Sequence, residues 1–149
     1  MTTVPGRIVL FRLAGERLAF DLATVSEVSE LPVTYPIPMA PPYFRGVMNS
    51  HGSLVSLLDL ARFLGKGSGR KEGKVLGLDR RLADLAFWVE DVERIILAEG
   101  VISEREGDGP YLERFLTIDD GEVGLLSTSG LVAALESDMQ EIVNTPHAG

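Results

Sequence analysis

The chain has no cysteine and only two histidines, His51 and His147. Without cysteine it can form neither a disulfide framework nor a thiolate nucleophile, and two imidazoles are too few for a standard zinc site. A catalytic triad would have to combine His51 with a serine and with Asp59 or Glu27, and no nucleophile-elbow sequence is present. We therefore expect no catalytic residues, no cofactor and no metal site.

Basic residues and long apolar runs are also scarce. Lysine and arginine total 14 against 22 aspartate and glutamate residues, which gives a formal net charge of −8. This balance argues against nucleic acid or an anionic membrane as partner, because both need a basic face. Near the start, the apolar run Ile8–Phe11 is flanked by Arg7 and Arg12 and is too short for a signal peptide or a membrane span. We expect a cytoplasmic protein without direct membrane insertion.

Turn-forming residues are abundant instead. The 149 residues include sixteen glycines and eight prolines, with 45% hydrophobic and 24% charged residues. This length and mixture suit one folded domain with a core, and frequent turns favour short strands over long helices. The fold class predicted from composition is therefore mostly β.

Period-two alternation, turn residues and helix caps divide the first half into short elements. Five prolines between Pro32 and Pro42 exclude helix and central strand there, so this segment is predicted to be an ordered surface loop. Around this proline loop the sequence predicts, in order, a hairpin of residues 7–13 and 17–22, one helical turn within 22–27 capped by Asp21, a strand over 27–31, a hairpin of residues 46–49 and 53–58, and a short helix that follows Asp59 and ends at Gly65.

Residues 65–73 hold four glycines and three basic residues and are predicted to be a flexible connector. They lack the Gly-Lys-Ser/Thr spacing of a phosphate loop. The second half then repeats the plan, with strands predicted over 74–79, 82–89, 95–97, 111–118 and 123–126, a terminal helix capped by Ser127, and a loose tail beyond Asn144.

The two halves also match in sequence. Leu57-Leu58-Asp59 reappears 68 residues later as Leu125-Leu126-Ser127, and Val25-Ser-Glu-Val28 reappears 64 residues later as Val89-Glu-Asp-Val92. The matching pieces occur in the same order, which favours duplication of a small β-barrel unit over chance similarity of two hairpins.

Residues 8–64 contain, in order, Leu13-Ala-Gly-Glu-Arg-Leu-Ala-Phe20, Val25-Ser-Glu27-Val28, the proline loop, and Gly46-Val-Met-Asn49-Ser-His51-Gly52 followed by Asp59-Leu60. This pattern resembles the CheW family of chemotaxis coupling proteins. The family pattern has arginine at position 51 and a common proline at position 56, where this chain has His51 and Ser56. The second half matches more weakly, chiefly through Val89-Glu-Asp-Val92.

The resemblance implies two SH3-like, five-stranded β-barrel subdomains with short helices. On this reading residues 7–65 form subdomain one, 65–73 a linker and 74–144 subdomain two of a single CheW-like domain. It further implies a non-enzymatic adaptor that binds the regulatory domain of a CheA-type histidine kinase with the first barrel. The cytoplasmic tip of a chemoreceptor would bind near the groove between the barrels.

The partner-binding residues expected from the matched motifs lie in the first barrel. Gly46 is expected where a partner approaches closely, and His51 is expected beside Glu27, in place of an arginine–glutamate pair. The full predicted set is Val25, Glu27, Val28, Phe44, Gly46, Val47, Asn49, His51 and Gly52.

Several alternatives stay open at this point. One is a small-ligand sensor or enzyme on the same architecture that uses a pocket near His51. Another is a structural module detached from a larger kinase. Tyr43 and Phe44 are candidates for a partner anchor or for the core, whereas Trp88 is expected in the core.

Overall fold

The computed structural model describes residues 4–67 and 72–144, with the side chains of the last helix described as far as Asp138. The predicted tail beyond Asn144 and residues 68–71 of the predicted connector lie outside this part. The described residues form β1 Arg7–Leu13, β2 Glu16–Asp21, β3 Val25–Glu30, β4 Phe44–Ser50, β5 Ser53–Asp59, α1 Leu60–Phe63, β6 Lys74–Leu78, β7 Leu85–Val89, β8 Asp91–Leu97, β9 Ser103–Glu106, β10 Leu112–Ile118, β11 Gly121–Leu126 and α2 Thr128–Asn144, with 3-10 turns at Leu22–Thr24 and Ala98–Gly100.

The strands form two sheets, and each sheet takes strands from both halves of the chain. The five-stranded sheet has the order β3-β6-β7-β5-β4, and the six-stranded sheet has the order β8-β1-β2-β11-β10-β9. Two parallel pairings, β5 with β7 and β2 with β11, join the halves within each sheet. The predicted mostly-β fold class is confirmed, with two sheets of five and six strands.

The sheets do not follow the predicted subdomain boundaries. Residues 7–65 and 74–144 were expected to form one barrel each, but β1 and β2 pair with the second half, whereas β6 and β7 pair with the first. The second sheet also has a sixth strand, Ser103–Glu106, that the prediction missed. All four of its residues are exposed, so it has no apolar alternation to reveal it.

Equivalent contacts recur in the two halves. The backbone N–H of Asp59 donates to Tyr43 O at 2.7 Å, and 68 residues later the N–H of Ser127 donates to Tyr111 O at 2.7 Å. The side chain at this position in each half caps a helix, since Asp59 Oδ1 accepts from Arg62 N and Ser127 Oγ accepts from Gly130 N. These repeated contacts support the predicted duplication, and we call residues at such matching positions counterparts.

Both faces of the central strands are buried. On β1, Val9 and Phe11 point to a core shared by the two sheets, whereas Ile8 and Leu10 point into the six-stranded sheet's own core. A stack of rings lies at the centre, with Phe20 5.1 Å from Phe11 and 5.3 Å from Phe87 between ring centroids. This double burial explains why β1 is apolar on both sides. Burial of each phenylalanine ring in the stack contributes roughly 2–3 kcal/mol to folding stability.

Strand β7, Leu85–Val89, is buried throughout for the same reason. Phe87 packs in the shared core, and Trp88, only 2% exposed, packs inside the five-stranded sheet. The expectation that Trp88 is a core residue is therefore confirmed. The Arg45 guanidinium covers the ring from outside, 3.9 Å from its centroid.

Candidate functional site

The predicted partner-binding residues lie on the two edge strands of the five-stranded sheet. Val25, Glu27 and Val28 are on β3, the segment from Phe44 to Asn49 is on β4, and His51 and Gly52 form the turn after β4. His51 and Gly52 have φ of 50° and 85°, as a tight two-residue hairpin turn requires. Asn49 Oδ1 accepts a hydrogen bond from Gly52 N at 3.0 Å and braces this turn.

His51 and Glu27 meet as predicted. The distance from His51 Nε2 to Glu27 Oε2 is 3.0 Å, and the pair is solvent-accessible, with side-chain exposures of 79% and 39%. The contact joins edge strand β3 to the turn that follows the other edge strand, β4. The sheet is therefore curved enough to bring its two edges together. We call this pair the first-sheet clip.

The six-stranded sheet has the same clip with its charges reversed. Arg94 on β8 donates from Nη2 to Asp119 Oδ1 at 3.2 Å, and Asp119 lies in the turn after β10. Strand β8 has the place in its sheet that β3 has in the other, next to β1 and β6 respectively. This second-sheet clip was not predicted, because the sequence match of the two halves pairs Glu27 with Asp91 and not with Arg94.

Gly46 is buried, and it serves the protein's own loop. Its φ is +141°, and a Cβ at this position would lie 2.3 Å from Tyr35 O. Tyr35 pairs with Val47 through two hydrogen bonds of 2.8 Å, which dock the proline loop on β4. The expectation of a partner at Gly46 therefore needs correction, because the Tyr35 backbone already takes up the space that the missing side chain leaves.

Two further residues of the predicted partner-binding set pack mainly against the protein's own core. Val25 and Phe44 are partly buried and pack against the shared core. Tyr43 also packs there, with its ring 5.2 Å from Phe44 and 4.9 Å from Phe63. The core alternative is thus the better description of Tyr43 and Phe44.

Apolar side chains that the motifs did not single out are exposed on this sheet and its loop. Val33 and Met39 are 74% and 76% exposed, Leu54 is 67% exposed and Tyr35 is 59% exposed. The sequence held one signal, since apolar residues among prolines have no strand or helix that could bury them. Together with Val28, these residues are called the first-sheet surface.

The cavity beside His51 is small. Its volume is about 70 Å³, and its lining includes Ser26, Glu27, Ser29 and His51. Small-molecule sites usually measure roughly 300–1,000 Å³. The described residues also contain no group of three or more potential metal ligands. The geometry near His51 therefore does not favour the ligand-pocket alternative.

A larger cleft opens between β2, the end of α1 and β10–β11. Its volume is about 630 Å³, and we call it the open cleft. Charged residues, among them Glu16, Lys66 and Glu122, line it together with six large apolar side chains. The apolar residues are Leu18, Leu64, Tyr111, Leu112, Phe115 and Leu126. The sequence did not reveal this cleft, because its walls come from both halves of the chain.

The basic side chains of the open cleft are already paired. Lys66 bonds to Glu16, and Arg17 donates to Asp120 and to Glu93, each at 3.0 Å. The hydrogen bond from Arg17 holds the pKa of the Asp120 carboxyl below its usual value. Arg17 and Lys66 thus each already have a carboxylate partner, and the apolar side chains of the lining can contact an apolar occupant.

The counterpart of the open cleft is covered by the chain's own helix. Tyr43, the counterpart of Tyr111, donates its hydroxyl to Asp138 on α2. Phe44, the counterpart of Leu112, packs beside Tyr43. We call this region around Tyr43, Phe44 and Phe63 the covered groove. The two grooves thus differ in whether a helix of the chain extends over them.

The family model for CheW-like domains matches residues 7–136. The chain belongs to the CheW-like domain family. Protein FrzA of Myxococcus xanthus is 37% identical over 60 residues, which cover 40% of this chain and 38% of FrzA. The match thus spans less than half of either protein.

The fold has a solved relative in scaffolding protein TtCheW from Thermoanaerobacter tengcongensis. The TM-score is 0.69 at 21% identity, over 83% of this chain and 90% of TtCheW. This likeness confirms the CheW-like architecture. None of the helices within residues 4–67 and 72–144 is both long and apolar enough to cross a membrane.

Proposed function

We propose that this CheW-like domain is a non-enzymatic adaptor that couples chemoreceptors to a CheA-type histidine kinase. The observation that carries the proposal is the open cleft, a groove lined by apolar and charged side chains at the counterpart position of a groove that α2 covers. An adaptor of this kind needs two separate docking surfaces on one rigid body. The open cleft and the first-sheet surface provide them, and both proposed partners place the protein in the cytoplasm.

The open cleft suits a helical partner. In the covered groove, a helix lies over Tyr43, and the open cleft offers Tyr111 at the equivalent place. Helix-in-groove docking uses apolar anchors on one helix face, which the partly exposed Leu64, Tyr111 and Leu112 can receive. The helical cytoplasmic tip of a chemoreceptor has this chemistry, and we assign it to the open cleft.

The first-sheet surface suits the kinase regulatory domain. Its exposed valines, tyrosine, methionine and leucine are apolar side chains of the kind that protein interfaces bury. The predicted contacts Glu27, Val28, Val47, Asn49 and His51 belong to the same sheet and stay in the proposal. Gly46 contributes indirectly, by allowing the proline loop to dock against β4.

Titration calorimetry with the two partners tests this assignment. We expect micromolar binding of the kinase regulatory domain, about −8 kcal/mol, and binding of the receptor tip to the preformed complex. Tyr35→Ala should weaken kinase binding about tenfold and spare the receptor tip. Phe115→Ala, in the open cleft, should do the reverse.

Ile102→Ala is the matched control, because Ile102 is 70% exposed but belongs to neither surface. It should change neither affinity. If Tyr35→Ala and Phe115→Ala keep both affinities and the wild-type melting temperature, the docking surfaces lie elsewhere. Competition between the two partners for one surface would contradict the adaptor proposal itself.

A further inference from the structure

Met39, within the proline loop, joins a strained backbone to an exposed apolar side chain. Its φ is 61°, in the left-handed region where a side chain raises the free energy and glycine does not. The side chain is 76% exposed, more than any other member of the first-sheet surface. Neither the backbone nor the core therefore accounts for a methionine at this position.

The backbone around Met39 is ordered by the protein's own hydrogen bonds. The N–H of Ala40 donates to Ile37 O at 3.4 Å, which closes a turn with Pro38 second and Met39 third. Proline second and a positive φ third are typical of a type II turn, whose third residue is usually glycine or asparagine. The Tyr35 bonds to β4 hold the loop just before this turn. Met39 is thus presented on a preorganised backbone, which lowers the entropy that a partner must remove on binding.

The other described non-glycine residues with a positive φ have a local explanation. Ala14 and His51, at 51° and 50°, each begin a two-residue hairpin turn that a glycine completes. Such a turn requires a positive φ at both of its positions. Met39 belongs to no hairpin and is followed by Ala40 rather than by glycine. Its left-handed backbone is therefore not explained by hairpin geometry.

The second half makes the matching connection with glycine. In the connection that precedes Tyr111, the counterpart of Tyr43, the residue with a positive φ is Gly109, at 77°. A Cβ on Gly109 would meet no atom within 4 Å, so the backbone angle rather than lack of space favours glycine there. In the connection that precedes Tyr43, the residue with a positive φ is Met39. The strained methionine thus belongs to the half that carries the first-sheet surface.

We propose that Met39 is a specificity-determining contact of the first-sheet surface and inserts its side chain into an apolar pocket of the kinase regulatory domain. This contact rests on the proposed function and adds to it a residue that no family motif singled out. The methionine side chain is unbranched and polarizable, so it adapts to an irregular pocket, and methionine is enriched at protein interfaces. The backbone strain is then the loss of folding stability that accompanies an exposed anchor.

Folding and binding should respond in opposite directions to Met39→Gly. The substitution should raise the melting temperature by about 1–2 °C, because the strain it relieves outweighs the added freedom of glycine in the unfolded chain. In titration calorimetry it should weaken binding of the kinase regulatory domain about tenfold, as loss of a buried anchor does. Met39→Leu keeps an apolar side chain of similar volume and should bind within about threefold of the wild type.

Ala14→Gly is the matched control, because it removes a side chain at a similar φ outside the first-sheet surface. It should leave the affinity for the kinase domain unchanged. A lower melting temperature of Met39→Gly would overturn the proposal, since the side chain would then support the loop. Wild-type affinity in Met39→Gly, or a tenfold loss in Met39→Leu, would overturn it as well.

Tyr35→Ala, measured alongside, separates this proposal from the proposed function. If Tyr35→Ala weakens binding of the kinase domain and Met39→Gly does not, the first-sheet surface stands without the Met39 contact. If the wild-type chain does not bind the kinase regulatory domain at all, the proposed function fails and the Met39 contact fails with it.

Discussion

Residues 7–64 and residues 74–144 follow the same order of strands, yet the first half ends in a helix of four residues and the second in a helix of 17. In α1, Gly65 has a φ of +73°, and the amides of Gly65 and Lys66 bond back to Arg62 O and Ala61 O, which closes the helix. The counterpart of Gly65 in α2 is the exposed Ala133, and the helix continues there. We call Gly65 the helix stop, because α1 ends there whereas α2 continues past Ala133. The cleft at the end of α1 is open, and the groove at the end of α2 is covered.

The halves differ again in what borders β4 and β10. In the second half, the charged strand β9 pairs along β10, with Arg105 opposite Phe115. At the counterpart position in the first half, the proline loop contributes one bridging residue, Tyr35 opposite Val47. One duplicated unit therefore shields its edge with charge, and the other presents apolar side chains. The two halves thus differ most in the segments that border these strands, while the strands themselves follow the same order.

Separating the two halves into fragments should have the largest effect on folding stability. Fragments of residues 1–67 and 72–149 each lack the strands that complete both sheets. We expect neither fragment to give a cooperative unfolding transition by circular dichroism, and an equimolar mixture to recover one. If either fragment alone unfolds cooperatively with dispersed NMR signals, the two halves are independent barrels and the exchange of strands is not required for folding.

Gly46→Ala should have the next largest effect. It combines a φ of +141° with a contact of 2.3 Å to the Tyr35 carbonyl, so we expect a loss of about 2–4 kcal/mol in unfolding free energy. Gly6→Ala is the control, because nothing lies within 4 Å of a Cβ there, and it should change stability by less than about 0.5 kcal/mol. Denaturant titration that finds the two variants equally stable would disprove the role given to Gly46.

The helix stop offers a reciprocal pair of substitutions. Gly65→Ala places a side chain at a positive φ and should cost about 1 kcal/mol, although its Cβ would touch nothing. Ala133→Gly should cost about 1 kcal/mol through lost helix propensity. Chemical denaturation measures the change in unfolding free energy of both variants. Unchanged or raised stability in Gly65→Ala would show that the positive φ of Gly65 is not what ends α1.

Substitutions that break the two clips should have the smallest effects on the free energy of unfolding. A double-mutant cycle with His51→Ala and Glu27→Gln should yield a coupling of at most about 1 kcal/mol, because the pair is exposed. The cycle with Arg94→Ala and Asp119→Asn should fall in the same range. Raised salt should weaken both couplings. Couplings of several kcal/mol would show that edge closure, rather than the shared core, holds the sheets.

Local features of this fold were predictable because their causes are local. The Asp21 and Asp59 caps, the turns and most strand positions follow from neighbouring residues. The His51–Glu27 pair was also found, since both positions belong to matched family motifs. Strand β8 spans Asp91–Leu97, but only residues 95–97 were predicted. The first part was missed because its residues are largely polar.

Features that depend on distant partners could not be predicted in the same way. Alternation identifies a strand but not its neighbour, so the parallel pairings of β5 with β7 and of β2 with β11 stayed hidden. The function of Gly46 depends on Tyr35, in a loop whose path no pattern fixes. The open cleft needed the placement of Leu18, Leu64 and Leu112, which are far apart in the sequence.

An NMR titration of the full chain with a chemoreceptor tip hairpin tests most directly whether the open cleft receives a partner helix, at the counterpart of the groove that α2 covers. We predict saturable shifts of the amides of Leu18, Leu64, Tyr111 and Gly124, with Val33, Tyr35 and Leu54 unaffected. Shifts confined to the first-sheet surface, with the cleft amides unchanged at saturation, would contradict it.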